Sequence, residues 1–478
     1  MRVKRQSFAQ RYLLPVIVIF LGFMMFAPQT VAETLRGNLR DDLPNIDPAA
    51  FNGPTGHRLL SLVYEGLTAI SQDGRLVPAL AERWETPDDG RTWRFFLRPG
   101  VRFHSGRPVT SADVRHSMEV LLRAKRPSIS VQFLDKLQGR EDFQSGRSMR
   151  LAGVVEIAPL TVEFRFEEAV AAFPYYPFFI VDGGATTEWG QSWHNAHSGG
   201  SGPFKLKSWR RGRDLTLTAN QDYWGPKPAV ENVSFTLAPG IDAALAMFDA
   251  GELDFVIAVE PAHRLIAADP RRRTTLQAVE RMQARFLAMN ADVYPPFADP
   301  RVRAAVSMAL DRQAVIDGVY GGLAAAPRGF GVASFTGETN AGIVHKYDPD
   351  EGRRLLAQAG YPGGVGLPPI EFTVIDFSRI EGAYYADKLV KELGMPATLK
   401  VMERAAMISA ANARRLGLFI GGWTADFPDP LTYLEPIWHS GSPYNQARWR
   451  DAAYDAVVDK ARRAADPAAR AALYRDAE

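Results

Sequence analysis

The sequence predicts an α/β protein of two or three domains, and three observations support this prediction. Its 478 residues exceed what a single hydrophobic core usually organises. The apolar fraction of 46% and the charged fraction of 23% are ordinary for a globular chain. Apolar residues recur with helical spacing in some segments and form short branched or aromatic runs, typical of strands, in others.

The first 32 residues have the composition of a secretory signal. Residues 1–11 contain four basic residues and no acidic residue, and residues 12–27 are almost uninterruptedly apolar. The apolar run is shorter than the ~20 residues of a membrane-spanning helix, and Ala32 offers a small residue for cleavage. We therefore expect cleavage after Ala32 and export to the periplasm.

Composition excludes several classes of site and partner. The chain has no cysteine, so disulfides, thiol nucleophiles, cysteine-bound metals and a lipidated amino-terminal cysteine are all ruled out. The 56 basic and 54 acidic residues nearly cancel, which gives no general affinity for nucleic acid. We expect a monomer without a nucleic-acid partner.

Local patterns predict the following elements in chain order. Arg58–Leu67 has helical spacing and a glycine near its end, and Asp73–Glu85 is expected to form a turn and a short helix. Thr92–Arg98 is typical of a strand. A second helix is predicted to begin after Thr110, with Asp113 at the capping-box position. Further along, a helix is expected at Ala243–Leu253 and a strand at Asp254–Val256.

A short apolar run near the carboxyl end is predicted to be a buried strand that leads to one acidic residue. Leu416–Ile420 is followed by Gly421, Gly422 and then Asp426. Two glycines let a second backbone approach closely, and a carboxylate just beyond them can pair with a cation on that backbone. This arrangement suits the amino terminus of a peptide. The alternative is a strand end with a proline-rich turn and a solvated aspartate.

Several short segments, each weak alone, occur in a characteristic order and spacing. They are Val63–Leu67, Pro78–Trp84, Phe96–Gly106, Thr110–Val114, Ser198–Leu206, Asn220–Gly225, Ala243–Val256, Arg285–Asn290, Ala309–Arg312 and Tyr347–Tyr361. Together they resemble the extracellular solute-binding proteins of peptide and nickel ABC transporters. The resemblance extends from about Leu35 to the end of the sequence.

The resemblance implies a two-lobed, hinged periplasmic-binding-protein fold, class II-like, with an inserted α/β domain. The first lobe would comprise residues 33–64 and 199–286, the insert residues 65–198, and the second lobe residues 287–478. Members of the family continue beyond the point where this sequence stops and return to the first lobe. We therefore expect a truncated chain in which part of the first lobe's core is uncovered.

The resemblance also implies a binding site. In oligopeptide-binding members, an aspartate after a Trp-x-Ala motif binds the peptide's α-ammonium group, and Asp426 occupies that position here. The expected ligand-binding residues are Asp426, Trp423, Thr424, Gly422, Asn52 and Pro54. Some members have an arginine on this strand for the peptide carboxylate, whereas this chain has Ile420. Carboxylate recognition and peptide length therefore stay open.

The expected function is that of a receptor that delivers short peptides to an ABC permease with its associated ATPase. No motif of a serine hydrolase, zinc protease or nucleotide-binding enzyme is present, so we expect no enzyme, no cofactor and no resident metal. Within the same fold, the alternatives are a nickel chelate, an opine-like conjugate, glutathione or an oligosaccharide. A nickel chelate would favour His439 or the pair His194 and His197. A secreted hydrolase and a sensor or chaperone without a transport role are the alternatives of other classes.

Overall fold

The computed structural model describes residues 34–40, 45–50, 54–71, 74–125, 128–185, 199–257, 265–266, 268–277, 282–330 and 344–478. These residues form an α/β structure with three four-stranded sheets and one two-stranded ribbon. Each of the three larger sheets lies against its own buried apolar cluster. None of the helices in the described ranges is long and apolar enough to cross a membrane.

The first sheet joins two distant parts of the chain. It has the strand order β1-β10-β9-β8, with β1 parallel to β10 and the other pairs antiparallel. The strands are β1 (Thr34–Leu39), β8 (Phe204–Arg210), β9 (Asp214–Ala219) and β10 (Asn232–Leu237). Helix α1 (Pro54–Val63) packs on this sheet through Leu59, Leu60 and Val63. The chain therefore leaves this sheet after α1 and returns to it at β8.

The intervening residues build the second sheet, an antiparallel one of order β4-β5-β7-β6. Its strands are β4 (Ala81–Glu85), β5 (Thr92–Leu97), β6 (Val154–Ala158) and β7 (Thr161–Arg165). The ribbon of β2 (Thr68–Ile70) and β3 (Leu76–Pro78) precedes it, and helices α2 (Ser111–Arg123) and α3 (Arg140–Gln144) follow β5. A tight group of aromatic rings fills the core of this unit, including Phe95, Phe164, Phe166 and Phe173.

The third sheet has the order β11-β14-β12-β13. Its strands are β11 (Gln283–Met289), β12 (Ile370–Ile375), β13 (Ala397–Met402) and β14 (Leu418–Thr424). Strand β12 is parallel to both of its neighbours, while β11 is antiparallel to β14. One face is covered by α6 (Pro300–Met308), α7 (Arg312–Gly318), α8 (Pro349–Gln358) and α9 (Arg379–Leu393), and the other by α10 (Arg404–Asn412). Helices α4 (Ile241–Asp249) and α5 (Pro270–Thr275) lie between the first and third sheets in sequence.

After β14 the chain passes from the core of the third sheet to that of the second. Phe427 is buried in the second sheet's core, with its ring centroid 5.5 Å from that of Phe133 and 5.0 Å from that of Tyr176. The remaining elements are α11 (Leu431–Tyr433) with a π-helical turn at Leu434–Trp438, α12 (Ala452–Arg463) and α13 (Pro467–Ala477). Arg462 of α12 pairs with Glu168 at 3.1 Å. The predicted boundaries of the lobes and of the insert stay predictions.

Three local predictions are wrong, each because tertiary contacts decide the outcome. The short helix expected before Glu85 is instead strand β4, because Trp84 and Glu85 pair with Phe95 and Arg94 of β5. Asp254–Val256 forms no strand in the described structure, although the N–H groups of Asp254 and Phe255 both donate to the Arg36 carbonyl. The first helix ends at Val63, before the predicted glycine.

Other predictions agree with the structure. Strand β5 spans Thr92–Leu97, and α2 begins after Thr110. The Asp113 carboxylate accepts hydrogen bonds from the Thr110 N–H at 2.9 Å and the Thr110 hydroxyl at 2.7 Å. The capping arrangement therefore forms with aspartate in place of the usual glutamate or glutamine.

Phe427 is expected to contribute strongly to stability because its ring fills a close-packed aromatic core. We predict that Phe427→Ala lowers the free energy of unfolding by about 3–5 kcal/mol, the usual cost of such a cavity. Chemical denaturation measures the change. The exposed Val365, which is 72% accessible, provides the control, since Val365→Ala is expected to change stability by less than about 0.5 kcal/mol. Equal effects of the two substitutions would contradict the assigned packing.

Candidate ligand-binding site

Strand β14 directs its backbone groups alternately to its two neighbours. The N–H of Ala425 donates to the Met282 carbonyl at 2.8 Å, and the N–H of Asn290 donates to the Gly417 carbonyl at 2.9 Å. Both contacts continue the antiparallel register of β11 with β14. Because such bonds recur at every second residue, the odd-numbered residues of β14 point their N–H and C=O groups towards β11. Gly422 and Thr424 therefore point theirs towards the opposite edge.

That opposite edge of β14 is only partly covered. Pairing with β12 is confined to Leu418 and Phe419, whereas pairing with β11 continues to Thr424. No strand of the described structure pairs with Gly422 or Thr424 on the β12 side. Two residues of a central strand thus present backbone donors and acceptors that no described strand pairs with, which is the arrangement that an added extended chain can use.

The two glycines of β14 serve different purposes. A Cβ atom on Gly421 would lie 2.6 Å from the ring of Phe286, so this glycine is needed for packing against β11. In the part of the chain that the structure describes, a Cβ atom on Gly422 would meet only the Ala284 carbonyl oxygen, at 3.5 Å. Gly422 is exposed. Gly421 therefore allows the Phe286 ring to pack against β14, and Gly422 leaves space beside the open edge of that strand.

Asp426 lies two residues beyond β14 and is fixed from both sides. Its N–H donates to the Thr432 hydroxyl at 2.9 Å, and the next residue, Phe427, is anchored in the second sheet's core. The side chain is mostly buried, and this burial raises the pKa of Asp426 to about 7. Within the described residues, no hydrogen-bond donor or cationic side chain contacts its carboxylate.

The carboxylate of Glu65 is also mostly buried, but it has hydrogen-bond partners, in contrast to that of Asp426. Glu65 accepts hydrogen bonds from Ser201 and Tyr223, both at 2.9 Å, and from the indole N–H of Trp224 at 3.0 Å. Burial raises the pKa of Glu65, and these hydrogen bonds act in the opposite direction. Glu65 is a satisfied structural group, whereas Asp426 has the burial without the partners. Buried carboxylates without partners are costly.

The phenols of Tyr433 and Tyr444 lie near the Asp426 carboxylate, and Trp423 packs against Tyr444. The rings of Trp423 and Tyr444 lie 5.4 Å apart. Burial and, in addition, the negative charge of Asp426 raise the pKa of both Tyr433 and Tyr444, which places both phenols near that carboxylate. The indole N–H of Trp423 is buried and has no hydrogen-bond acceptor among the described residues. These groups offer an apolar wall and one further donor beside the acidic group.

The expected site residues are distributed as follows. Gly422, Trp423, Thr424 and Asp426 lie together at the end of β14. Pro54 is the first residue of α1, which packs on the first sheet. Asn52 lies outside the described residues.

Several residues near the site were not anticipated. Tyr433 and Thr432 follow Asp426 closely in sequence, and the proline-rich turn at Pro428 and Pro430 between them was available as an indication. Arg285 carried no such indication. It is opposite Gly422 only because of the register between β11 and β14.

The histidines proposed for a nickel chelate gain no support from the described residues. The Nδ1 atom of His439 accepts from the Gly441 N–H at 3.0 Å, and its Nε2 atom lies 3.7 Å from Asp459. Within the ranges that the structure describes, no group of three histidine, aspartate or glutamate side chains is arranged to hold a metal ion. His194 and His197 lie outside those ranges.

Comparisons with known proteins place the fold and the family. The family model of bacterial extracellular solute-binding proteins, family 5 (middle region), matches residues 75–445. A probable di/tripeptide-binding protein 5 of Pseudomonas aeruginosa is 26% identical over 96% of this chain and 90% of its own length. The glutathione-binding protein GsiB of Shigella dysenteriae is 22% identical over 97% of this chain and 89% of its own.

A solved structure agrees with this assignment. The clavulanic acid biosynthesis oligopeptide binding protein 2 superposes with a TM-score of 0.80 at 23% identity, covering 94% of this chain and 88% of that one. The predicted two-lobed periplasmic-binding-protein fold is thereby confirmed. With the family model spanning most of the sequence, the chain belongs to the bacterial extracellular solute-binding proteins of family 5.

Proposed function

We propose that this protein is the receptor of an ABC importer and binds short peptides by their amino terminus at Asp426. The single observation that carries the proposal is a mostly buried carboxylate that has no partner among the described residues, placed just beyond an open strand edge. The peptide-binding names of relatives support the same ligand class. A receptor role without catalysis is consistent with the solute-binding family to which the chain belongs.

The position of Asp426 sets the direction of the bound peptide. An ammonium group beside Asp426 lies past the carboxyl end of β14, so the peptide must run back along the strand, antiparallel to it. Its backbone then pairs with the open groups of Thr424 and Gly422. The first peptide residue falls opposite Thr424 and the third opposite Gly422. Main-chain pairing of this kind tolerates different side chains.

The negative charge of Asp426 explains why binding of a cationic ligand is favourable. An ionised carboxylate removed from water is costly alone and is stabilised when a cation joins it in the same site. The ligand therefore supplies the partner that the protein lacks. Contacts from both lobes to one peptide would shift the population towards a closed receptor.

The proposed receptor is secreted and works with a membrane permease. The basic and apolar composition of residues 1–32 supports secretion with cleavage after Ala32, and the absence of cysteine argues against a lipid anchor. The loaded receptor would deliver its peptide to a membrane permease driven by an associated ATPase. Glutathione is a second candidate ligand, since it carries an ammonium group for Asp426 and a relative is named for it. An oligosaccharide has no cation to pair with this carboxylate.

The amino-terminal anchor can be tested by calorimetric titration with Ala-Ala-Ala. We expect Asp426→Asn to weaken binding by more than about 2 kcal/mol, because it leaves the ligand's buried ammonium unpaired. Acetylating the peptide's amino terminus should weaken binding to the native protein by a similar amount. Asp350→Asn, at a position whose side chain is 88% exposed, is the control and should bind normally. Full affinity for the acetylated peptide would rule out the anchor.

The same substitution should have the opposite effect on stability in the absence of ligand. Burial raises the pKa of Asp426 from its usual value to about 7, so folding disfavours the ionised form. This destabilisation is complete above pH 7 and vanishes as the pH falls towards ~4. We predict that Asp426→Asn stabilises the ligand-free protein by about 1–3 kcal/mol at pH 8 and has little effect at pH 4.

Glu65→Gln provides the matched comparison for that experiment. It replaces a buried carboxylate whose donors are already satisfied, and the new amide N–H groups would face those donors. We expect a loss of about 1–3 kcal/mol at pH 8, measured by thermal or chemical denaturation. If Asp426→Asn is as destabilising as Glu65→Gln, Asp426 is a structural group.

Peptide affinity should also depend on pH below neutrality. Below pH 7 the Asp426 carboxylate of the empty site takes up a proton, which must leave before the ammonium can pair with it. Affinity should therefore fall by about tenfold for each pH unit between pH 7 and pH 5. Titration in buffers of different ionisation enthalpy should detect the released proton. In Asp426→Asn the remaining affinity should be independent of pH over this range.

A further inference from the structure

Arg285 and Gly422 occupy one row of the third sheet. They are direct partners in the register of β11 with β14, and side chains of paired residues lie on the same face of a sheet. A peptide added along the open edge places its own residue on the other side of Gly422. The row then reads Arg285, Gly422 and the peptide residue that pairs with Gly422.

Because Gly422 has no side chain, it leaves space between Arg285 and the peptide residue in this row. Among the described residues, the only atom within 4 Å of a Cβ built there is the Ala284 carbonyl oxygen, at 3.5 Å. Strands in a sheet are about 4.8 Å apart, so the outer two positions are separated by about 10 Å. An arginine and a glutamate side chain, extended towards each other across a glycine, can span this distance. A side chain on residue 422 would stand between them.

The guanidinium of Arg285 is held in place by residues that follow β12 in the chain. Its Nη2 atom donates to Glu381 at 2.5 Å and to the Ser378 hydroxyl at 2.9 Å, and its Cζ lies 5.2 Å from the Phe377 ring centroid. The Glu381 carboxylate also accepts from the Tyr320 hydroxyl at 2.9 Å. The side chain of Glu381 is 7% exposed and that of Arg285 is 20% exposed. The cation is thus preorganised and still reached by solvent.

We propose that Arg285 binds a carboxylate of the ligand across Gly422, so that the site favours peptides with an acidic group at the third position. This inference rests on the proposed peptide-binding function, which sets the third residue opposite Gly422. Two sources have the same chemistry, the side chain of an acidic third residue and the free carboxyl end of a tripeptide. A guanidinium carries five N–H donors in a planar fork and can serve more than one carboxylate.

Glu381 has two opposing effects in this arrangement. It positions the guanidinium, yet its own negative charge repels a second carboxylate nearby. Replacing it by glutamine keeps an acceptor for Tyr320 and Arg285 and removes the repulsion. The proposal therefore predicts effects of opposite sign for substitutions at the two members of one ion pair.

Four peptides separate the possible sources of the carboxylate. Ala-Ala-Glu-NH2 has an acidic third side chain only, Ala-Ala-Ala has a free carboxyl end only, and Ala-Ala-Gln-NH2 has neither. Ala-Glu-Ala-NH2 moves the acid to the second position, whose side chain points to the other face of the sheet. All four keep the ammonium group for Asp426. Calorimetry on the mature protein gives each dissociation constant.

We expect the native protein to bind Ala-Ala-Glu-NH2, Ala-Ala-Ala or both at least tenfold more tightly than Ala-Ala-Gln-NH2 and Ala-Glu-Ala-NH2. Arg285→Gln should abolish this preference, and Glu381→Gln should raise affinity for the preferred peptide about threefold to tenfold. The Arg285→Gln, Glu381→Gln double variant, which leaves no buried charge unpaired, should also lack the preference if Arg285→Gln folds poorly.

The outcomes distinguish the two proposals. If all four peptides bind equally and require Asp426, the carboxylate site is wrong and the peptide receptor stands. If the preference survives in the double variant, Arg285 is not its source, and the inference is overturned. If none of the four peptides binds, the proposed function fails and this inference fails with it.

Discussion

A mostly buried carboxylate, to which the described residues supply no counter-ion, is the constraint on which the rest of the site depends. Among the described residues, the polar contact made at Asp426 is through its backbone N–H to Thr432, and none stabilises its carboxylate. Such a group is unfavourable for folding and favourable for capturing a cation. Two cores hold it there, because β14 ends in the third sheet and Phe427 begins the contact with the second. Packing in the cores of the second and third sheets thus offsets the unfavourable burial of this carboxylate when no ligand is bound.

The same principle separates functional from structural acids elsewhere in the chain. Glu65 is stabilised by Ser201, Tyr223 and Trp224, and Glu381 by Arg285 and Tyr320. Burial alone therefore does not identify a binding group. The informative combination is burial, missing partners and an adjacent backbone edge that is also unpaired. At the end of β14 all three coincide, and this coincidence is what links the electrostatics of one residue to the direction and register of a peptide.

Much of this site was predictable from sequence because it is local. A run of apolar residues, two glycines and Asp426 lie within a few positions, and the Thr110 cap was recognised for the same reason. The errors arose where distant segments decide. Residues 81–85 have helix-like spacing but become β4 through pairing with β5. Arg285 faces Gly422 only through a strand register, which no pattern near either residue encodes. The proposed ammonium partner was therefore predictable from the sequence, while the proposed partner for a ligand carboxylate was not.

The short length of the open edge on β14 has a consequence for the empty receptor. Unpaired strand edges recruit other chains and promote aggregation unless they are shortened or covered. Here β12 occupies the edge as far as Phe419, and the chain turns away after Thr424 into a segment with Pro428 and Pro430. Only a few residues remain available, too few to template a stable intermolecular sheet, since isolated pairs of short strands are marginal in water. The edge that we propose to accept a peptide is thereby kept from pairing with the same edge of another copy of the protein.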